Sequence, residues 1–345
     1  MPAAALGTAD WYRHFGTVDA PGSSACYADW SLHIADDPAL IARIDQWPHN
    51  KRQPLLLLAA ARYLGAKVSP YGQFRTFLDA HWADISRTVL SRATQTNEVG
   101  RCATLLPSLA AISAAELKPL ALIEVGASAG LALFPDRYGY EYDDGATVTR
   151  LLPEPRPEGQ PPAPVPPVLR CAVSGAVPLP DKLPEVVWRA GIDLNPLDVG
   201  NDDDVAWLEA LIWPEQDFRR ERLRKAIGVA RENPPLLVAG DLNQQLVSLA
   251  GLAPADAALV VFHSAVMGYL SADGRSRFRA TVQDLAAGRG CHWLSNEGET
   301  VIAQEDGSSV VPEMAPGRLR GNFLLLHNGR PVAITGPHGQ SLEWL

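Results

Sequence analysis

The stretch Ala121–Phe134, ALIEVGASAGLALF, joins an acid, Glu124, to a loop of small residues, Gly126-Ala127-Ser128-Ala129-Gly130. Two chemistries fit it. Read as G-x-S-x-G, it is a nucleophile elbow. Ser128 then attacks an acyl carbon, and Asp241 with His263 or His338 follows in the serine–acid–histidine order of an α/β-hydrolase. Read as E-x-G-x-x-x-G, it is a loop on which a nucleotide-like cofactor rests. Gly126 and Gly130 then allow a tight turn and close approach of a ligand to the backbone, and the N-terminus of a following helix offers N–H groups. A dinucleotide fingerprint, G-x-G-x-x-G, is not present, because its positions would fall on Gly126, Ser128 and Leu131.

Further polar residues recur at the ends of apolar runs. Asp193, in GIDLNP, suits a pair of ribose hydroxyls, and Asp241, in AGDL, suits an adenine amino group. His263 and Ser264 end AALVVFHS, and Glu297 ends CHWLSNEG. His263 titrates near neutral pH and fits a general base, or a hydrogen-bonded histidine that shapes the pocket. Glu297 fits a second base, an acceptor-binding acid or a helix cap. Gln95, Asn97, Glu98 and Arg101 precede apolar helix positions, either as a capping segment around Thr96 or Asn97, or as a helix end that closes over the site and presents Arg101 to an anion. Asp136, Arg137 and Tyr138 read as a loop-anchoring ion pair. Asp202–Asp204 read as a solvated helix start, since adjacent acids on a helix do not converge on a metal.

The elements that must hold these residues divide the chain into two. Residues 1–118 read as helical. In 72–90, Phe74, Phe77, Leu78, Trp82, Ile85 and Val89 recur at three- and four-residue steps, one buried helical face. Leu55–Leu64 is a helix opened by Pro54 and closed by Gly65, and a further helix is expected over Asn97–Leu106. From 119 the texture changes to short apolar runs bounded by Pro and Gly, alternating with helices, as in a parallel sheet with covered faces. Tyr138, Tyr140 and Tyr142 alternate as on an exposed strand. A proline-rich insertion spans about 138–185. Its eleven prolines in 151–184 exclude regular helix and central strand there, leaving a surface loop with a strand near Val168–Val173. GNFLLLHNGRPVAI, with Asn328-Gly329 at its centre, is a hairpin. The expected architecture is a doubly wound α/β sheet, parallel except at its last pairing.

Composition narrows the classes. The 345 residues are 47% hydrophobic and 20% charged, with formal net charge −9. That balance suits a soluble globular protein and argues against an extended nucleic-acid surface. Four cysteines without a C-x-x-C argue against structural zinc and for a reducing, cytoplasmic setting. No signal peptide or bilayer-length apolar run is expected. Oligomeric state is left open.

E-V-G-A-S-A-G-L, G-I-D-L-N-P, A-G-D-L and V-V-F-H-S-A-V, in that order, resemble motifs of class I S-adenosylmethionine-dependent methyltransferases over about 119–345. The fuller set, with TQTNEVGRC, FPDRYGY, IWPEQ, SNEG and PHGQSLEWL, resembles a bacterial family catalogued as domain of unknown function 2332 over nearly the whole chain. The resemblance implies a Rossmann-like methyltransferase core behind a helical N-terminal lid or substrate region. It implies S-adenosylmethionine as cofactor and a small-molecule acceptor. Carried over, Glu124 meets the methionine amino end, and the backbone of Gly126, Ala127, Ser128 and Gly130 lines the methionine and ribose. Asp193, with Leu194 and Asn195, holds the ribose hydroxyls, and Asp241 with Leu242 flanks the adenine. His263 and Ser264 fall where the fourth strand of such enzymes presents groups to the acceptor. Three departures stand out: Ser128 at the usual middle glycine, the long insertion, and no N-P-P-Y or D-P-P-Y after the fourth strand. The hydrolase reading lacks the upstream strands and H-G-G-like oxyanion loop that an elbow needs, and its acid comes early. A methyltransferase-like protein that binds ligand without turnover is the remaining alternative.

Overall fold

The computed structural model describes residues 7–95, 97–155, 159, 162–302 and 318–345. The chain divides into two compact units, one of Met1–Thr96 with Gly200–Glu221 and one of Asn97–Val199 with Arg222–Leu345. A later segment, Gly200–Glu221, thus groups with the N-terminal helices.

The first unit is helical. It holds α1 (Thr8–His14), α2 (Ala25–Ala35), α3 (Pro38–Ile44), α4 (Pro54–Tyr63) and α5 (Tyr71–Ser91). After α6 (Cys102–Glu116), which belongs to the other unit, α7 (Asp202–Leu211) completes it. Ser24, Asp37 and Asn201 cap α2, α3 and α7 by accepting a backbone N–H, each such cap being worth about 1 kcal/mol. Phe74, Leu78, Ile85 and Val89 of α5 are buried, while Phe77 and Trp82 are half-buried. Trp30 stacks on Phe74 at 3.6 Å between centroids. Asp203 and Asp204, expected as a solvated helix start, both pair with the Arg92 guanidinium.

The second unit is a mixed α/β body around one open, mostly parallel sheet. Its strands are β1 (Leu120–Val125), β2 (Gly139–Asp143), β3 (Val148–Leu151), β4 (Val168–Ser174), β5 (Val186–Asp193), β6 (Leu236–Ala239), β7 (Ala258–Ser264), β8 (His292–Gly298), β9 (Phe323–His327), β10 (Arg330–Thr335) and β11 (Ser341–Trp344). They lie in the order β3-β2-β4-β11-β10-β9-β8-β7-β1-β5-β6. Helices α8 (Asp217–Glu232), α9 (Leu242–Ala250) and α10 (Ala272–Arg289) make the crossovers after β5, β6 and β7, with α8 straddling the division between the units. A short α11 (Glu299–Ile302) follows β8.

Side chains alternate across a strand. Ala121, Ile123 and Val125 of β1 therefore share one face, and with Ile192, Leu259 and Val261 they meet Leu246 and Leu249 of α9 and Phe278 and Val282 of α10. Leu120, Leu122 and Glu124 point to the other face. α6 packs against β4 and β7.

Four expectations are corrected. The chain is not doubly wound at its first step: β1 is followed by a single 3₁₀ turn, Leu131–Leu133, and reaches β5 through β2–β4. Pro135, four residues beyond Leu131, removes a helical donor and stops propagation. Antiparallel pairing occurs at β2/β3, β8/β9, β9/β10 and β10/β11, not only at the last pair. The insertion is not merely a surface loop, because β4 pairs in parallel with both β2 and β11. Tyr138, Tyr140 and Tyr142 are fully buried rather than exposed. Each phenol donates to a backbone carbonyl, of Leu131, Pro135 and Ala103 respectively. Those bonds offset the cost of burying three hydroxyls.

Candidate functional site at the carboxyl ends of the central strands

Strand order reverses at β1. From it the chain proceeds to β5 and β6 on one side, then to β7 and β8 on the other. In open α/β sheets the crevice beyond the carboxyl ends at such a reversal is where ligands bind. In the order β6-β5-β1-β7-β8, the ends carry Asp241, Asp193, Glu124 with the glycine loop, His263-Ser264, and Asn296-Glu297. The fold thus brings these residues to one end of adjacent strands.

The loop after β1 turns through left-handed residues at every second position, Gly126 (φ 71°), Ser128 (φ 52°) and Gly130 (φ 69°). Two are glycine, which adopts that conformation without strain, whereas Ser128 pays about 1–2 kcal/mol. What holds Ser128 there is Asp193. Its Oδ2 accepts the Ser128 N–H at 2.8 Å, its Oδ1 accepts the Asn195 N–H at 2.8 Å, and its carbonyl accepts the Gly240 N–H at 2.9 Å. Ile192 O accepts from both Gly126 and Ala127, and Asn97 Nδ2 donates to Ala127 O at 3.1 Å. A Cβ on Gly126 would overlap the Val266 side chain, and one on Gly130 would come within 2.9 Å of Pro235 Cγ. The glycines therefore serve close packing inside the protein. The helix N-terminus expected after the loop is absent.

Asp241 caps α9, accepting the Asn243 N–H at 2.7 Å. Leu242 packs into the core, whereas Leu194 is 79% exposed.

Glu124 has no such partner. Its Oε2 is buried and makes no hydrogen bond, and the buried Ser128 Oγ is in the same condition. Burial pushes the Glu124 carboxyl well above the usual carboxylate range; the Arg101 guanidinium opposes this and the Asp193 charge adds to it. An uncompensated buried polar atom costs on the order of 1–3 kcal/mol, a standing deficit that a ligand of the right charge would remove.

His263 is completely buried and both ring nitrogens are committed. Trp293 Nε1 lies 3.0 Å from His263 Nε2. An indole N–H can only donate, so Nε2 accepts and the ring proton sits on Nδ1. Nδ1 then donates to Glu297 Oε1 at 2.7 Å. The same oxygen accepts the Val266 N–H at 2.9 Å and the Met267 N–H at 3.2 Å. His263 is thus a buried histidine hydrogen-bonded at both ring nitrogens. His263 and Glu297 set the turn after β7, where Ala265 has φ 59° and Val266 lies against Gly126.

Ser264 Oγ accepts from Asn296 Nδ2 at 3.0 Å, and Asn296 Oδ1 accepts from Thr335 Oγ1 at 2.7 Å. Arg101 ends a 3₁₀ turn, Val99–Arg101, capped by Glu98, so the helix expected from Asn97 begins instead at Cys102. Its Nη1 donates to Ser264 O and its Nε to Pro337 O, both at 2.9 Å. The segment around it crosses the Pro337–Gly339 turn so closely that a Cβ on Gly100 would overlap His338 O. Glu98 Oε1 accepts from Arg222 at 2.5 Å. Thr96 lies outside the described residues. Asp136 pairs with the buried Arg189 at 2.5 Å and with Arg137 at 3.2 Å, the loop anchor that those residues suggested.

Among the described residues, the members of the hydrolase reading are engaged elsewhere or unpaired: Ser128 Oγ has no partner, Asp241 caps a helix, His263 faces Glu297 and Trp293, and His338 Nδ1 lies 3.4 Å from Glu98 Oε2. Sequence reasoning missed Trp293, Val266 and Thr335, whose roles depend on pairings 30 or more residues away along the chain. It also missed Tyr269. That ring is 78% exposed just beyond β7. Among the described residues, no group of three metal-ligating side chains converges and no helix is long and apolar enough to cross a membrane.

These features define an open-sheet α/β protein with its polar groups gathered at the carboxyl ends around one strand-order reversal. The chain belongs to the bacterial family described as an uncharacterized protein conserved in bacteria (DUF2332), whose model matches residues 9–344. No curated protein and no solved structure matches it.

Proposed function

We propose that this chain is a cytoplasmic methyltransferase of class I type that uses S-adenosylmethionine and acts on a small-molecule acceptor. The observation that carries the reading is Glu124 Oε2, a buried, unpartnered acid oxygen at the strand end where order reverses. The acids of β1, β5 and the β6–α9 turn fall on neighbouring strands, the arrangement a nucleoside with an amino-acid tail requires. Four free, buried cysteines suit a reducing compartment.

The cofactor would supply an already activated methyl group. The chain's task is then alignment and exclusion of water. Glu124 would hold the amino end. Asp193 keeps the Ser128 turn in shape and would meet the ribose beside the exposed Leu194. His263 and Glu297 fix the β7 turn, so that Ser264 and Tyr269 stand toward the acceptor. Calorimetry with S-adenosylmethionine and S-adenosylhomocysteine tests this. Binding lost in Glu124→Ala supports it, and no binding of either nucleoside to the intact protein refutes it.

The commitment of both His263 nitrogens favours a second reading, a ligand-binding protein of this fold without turnover. Cofactor binding with no methylated product across a broad panel of alcohols, amines and thiols would select it.

A further inference from the structure

Resting on the cofactor site proposed above, we infer that Glu124 exchanges a proton for a ligand cation. It is a neutral acid in the free protein. It ionises, releasing one proton to solvent, when the ammonium group of an amino-acid-bearing nucleoside comes to lie beside Oε2.

The groups that face Glu124 leave it little choice. Oε2 is buried with no hydrogen-bond partner. Cys102 at the start of α6 and Tyr138 before β2 are both fully buried and interact with it only as further potential anions. Asp193 at the end of β5 adds a negative charge. Arg101 is the cation within reach, but two of its nitrogens already serve Ser264 O and Pro337 O, which tethers it to the turns beyond β7 and β10. An ionised Glu124 would thus be a buried charge among two weak acids and an aspartate. A buried charge without a close partner neutralises itself by taking up a proton. A ligand ammonium reverses the balance by adding an opposite charge within contact range. The O–H bond of the acid breaks, its electron pair stays on the carboxylate, the proton goes to buffer, and the ammonium pairs with the carboxylate. Discrimination follows: a nucleoside without the cation leaves the acid neutral and gains nothing from it.

The sign of the linkage is fixed. Binding expels a proton, so affinity rises with pH, by roughly tenfold per unit in the window below the free-state value and above the bound-state value. Calorimetry of S-adenosylhomocysteine in buffers of different ionisation enthalpy should show about one proton released per ligand bound. 5′-Methylthioadenosine, the same nucleoside without the amino-acid portion, should release none. Glu124→Gln mimics the neutral acid, so it should lose both proton release and pH dependence toward S-adenosylhomocysteine. In the free wild-type protein, infrared difference spectra against Glu124→Gln should show the C=O stretch of a protonated carboxyl. Binding without proton release, equal release by both nucleosides, or absence of that band overturns the inference while leaving the cofactor reading standing. Failure of both nucleosides to bind overturns the two together.

Discussion

Replacing Glu297 tests whether it positions the β7 turn. One oxygen, Oε1, accepts from His263 Nδ1 at 2.7 Å, Val266 N at 2.9 Å and Met267 N at 3.2 Å, in surroundings where Glu297 is 1% exposed. Glu297→Ala strands three donors, two buried and one part-buried. At about 1–3 kcal/mol for each unsatisfied group, and with the 3.2 Å bond counted at the low end, the loss is roughly 3–7 kcal/mol. Glu297→Gln keeps an oxygen in place and gives up only the stronger acceptor, a cost of about 1–2 kcal/mol. The assay is native-state hydrogen exchange of the Val266 and Met267 amides together with urea unfolding. In Glu297→Ala those two amides should lose protection first. In Glu297→Gln they should remain slow. Should Glu297→Ala fall within about 1 kcal/mol of wild type, or Glu297→Gln prove as costly as Glu297→Ala, the assignment of this carboxyl as the brace of the turn is refuted.

Gly126→Ala should be strongly destabilising, because its Cβ would overlap Val266 at a φ of 71°; adding Val266→Ala should recover the steric part and leave about 1–2 kcal/mol of left-handed strain, measured by a double-mutant cycle in urea. Asp241→Ala should cost about 1 kcal/mol as a lost helix cap, while Asp241→Asn, which still caps, should be near neutral in stability; a drop in nucleoside affinity in Asp241→Asn would separate a ligand role from the cap. Burial and the neighbouring His292, whose Nδ1 lies 3.1 Å from His327 Nε2, hold His327 below the ordinary histidine range. As pH falls through the ordinary value near 6.5, the unfolded chain takes up a proton that the folded one refuses. Stability should therefore decline on acidification, and a pH series of unfolding midpoints should be flatter for His327→Gln.

The central strands were legible because each is an apolar run bounded by Pro or Gly, and the β9–β10 hairpin because Asn328 (φ 50°) and Gly329 (φ 79°) take the two left-handed positions of its turn. The positions of the polar residues were legible too, since Glu124, Asp193, His263 and Glu297 all stand at or near strand ends. Roles were less so. That Asp193 would be occupied by Ser128, or His263 by Trp293, depends on which strands become neighbours, and pairing across 30 to 65 residues leaves no local trace. The same limit hid the extension of the sheet. β4 sits inside a proline-rich stretch, and its partner β11 is the last strand of the chain. Alternating tyrosines reveal a strand's period, but which face is covered is settled by α6 from a distant part of the sequence.

Those tyrosines give the molecule an alkaline fuse. Tyr138, Tyr140 and Tyr142 are walled off from water, and burial drives each phenol far above the ordinary range. As folded, they cannot become phenolates one by one as surface tyrosines do. A spectrophotometric titration of the eight tyrosines should therefore climb in two stages. The later stage should be steep and irreversible, and should coincide with collapse of the near-ultraviolet dichroism. Base, by claiming protons spent on the backbone carbonyls of Leu131, Pro135 and Ala103, would prise the sheet open from the strands that seemed least a part of it.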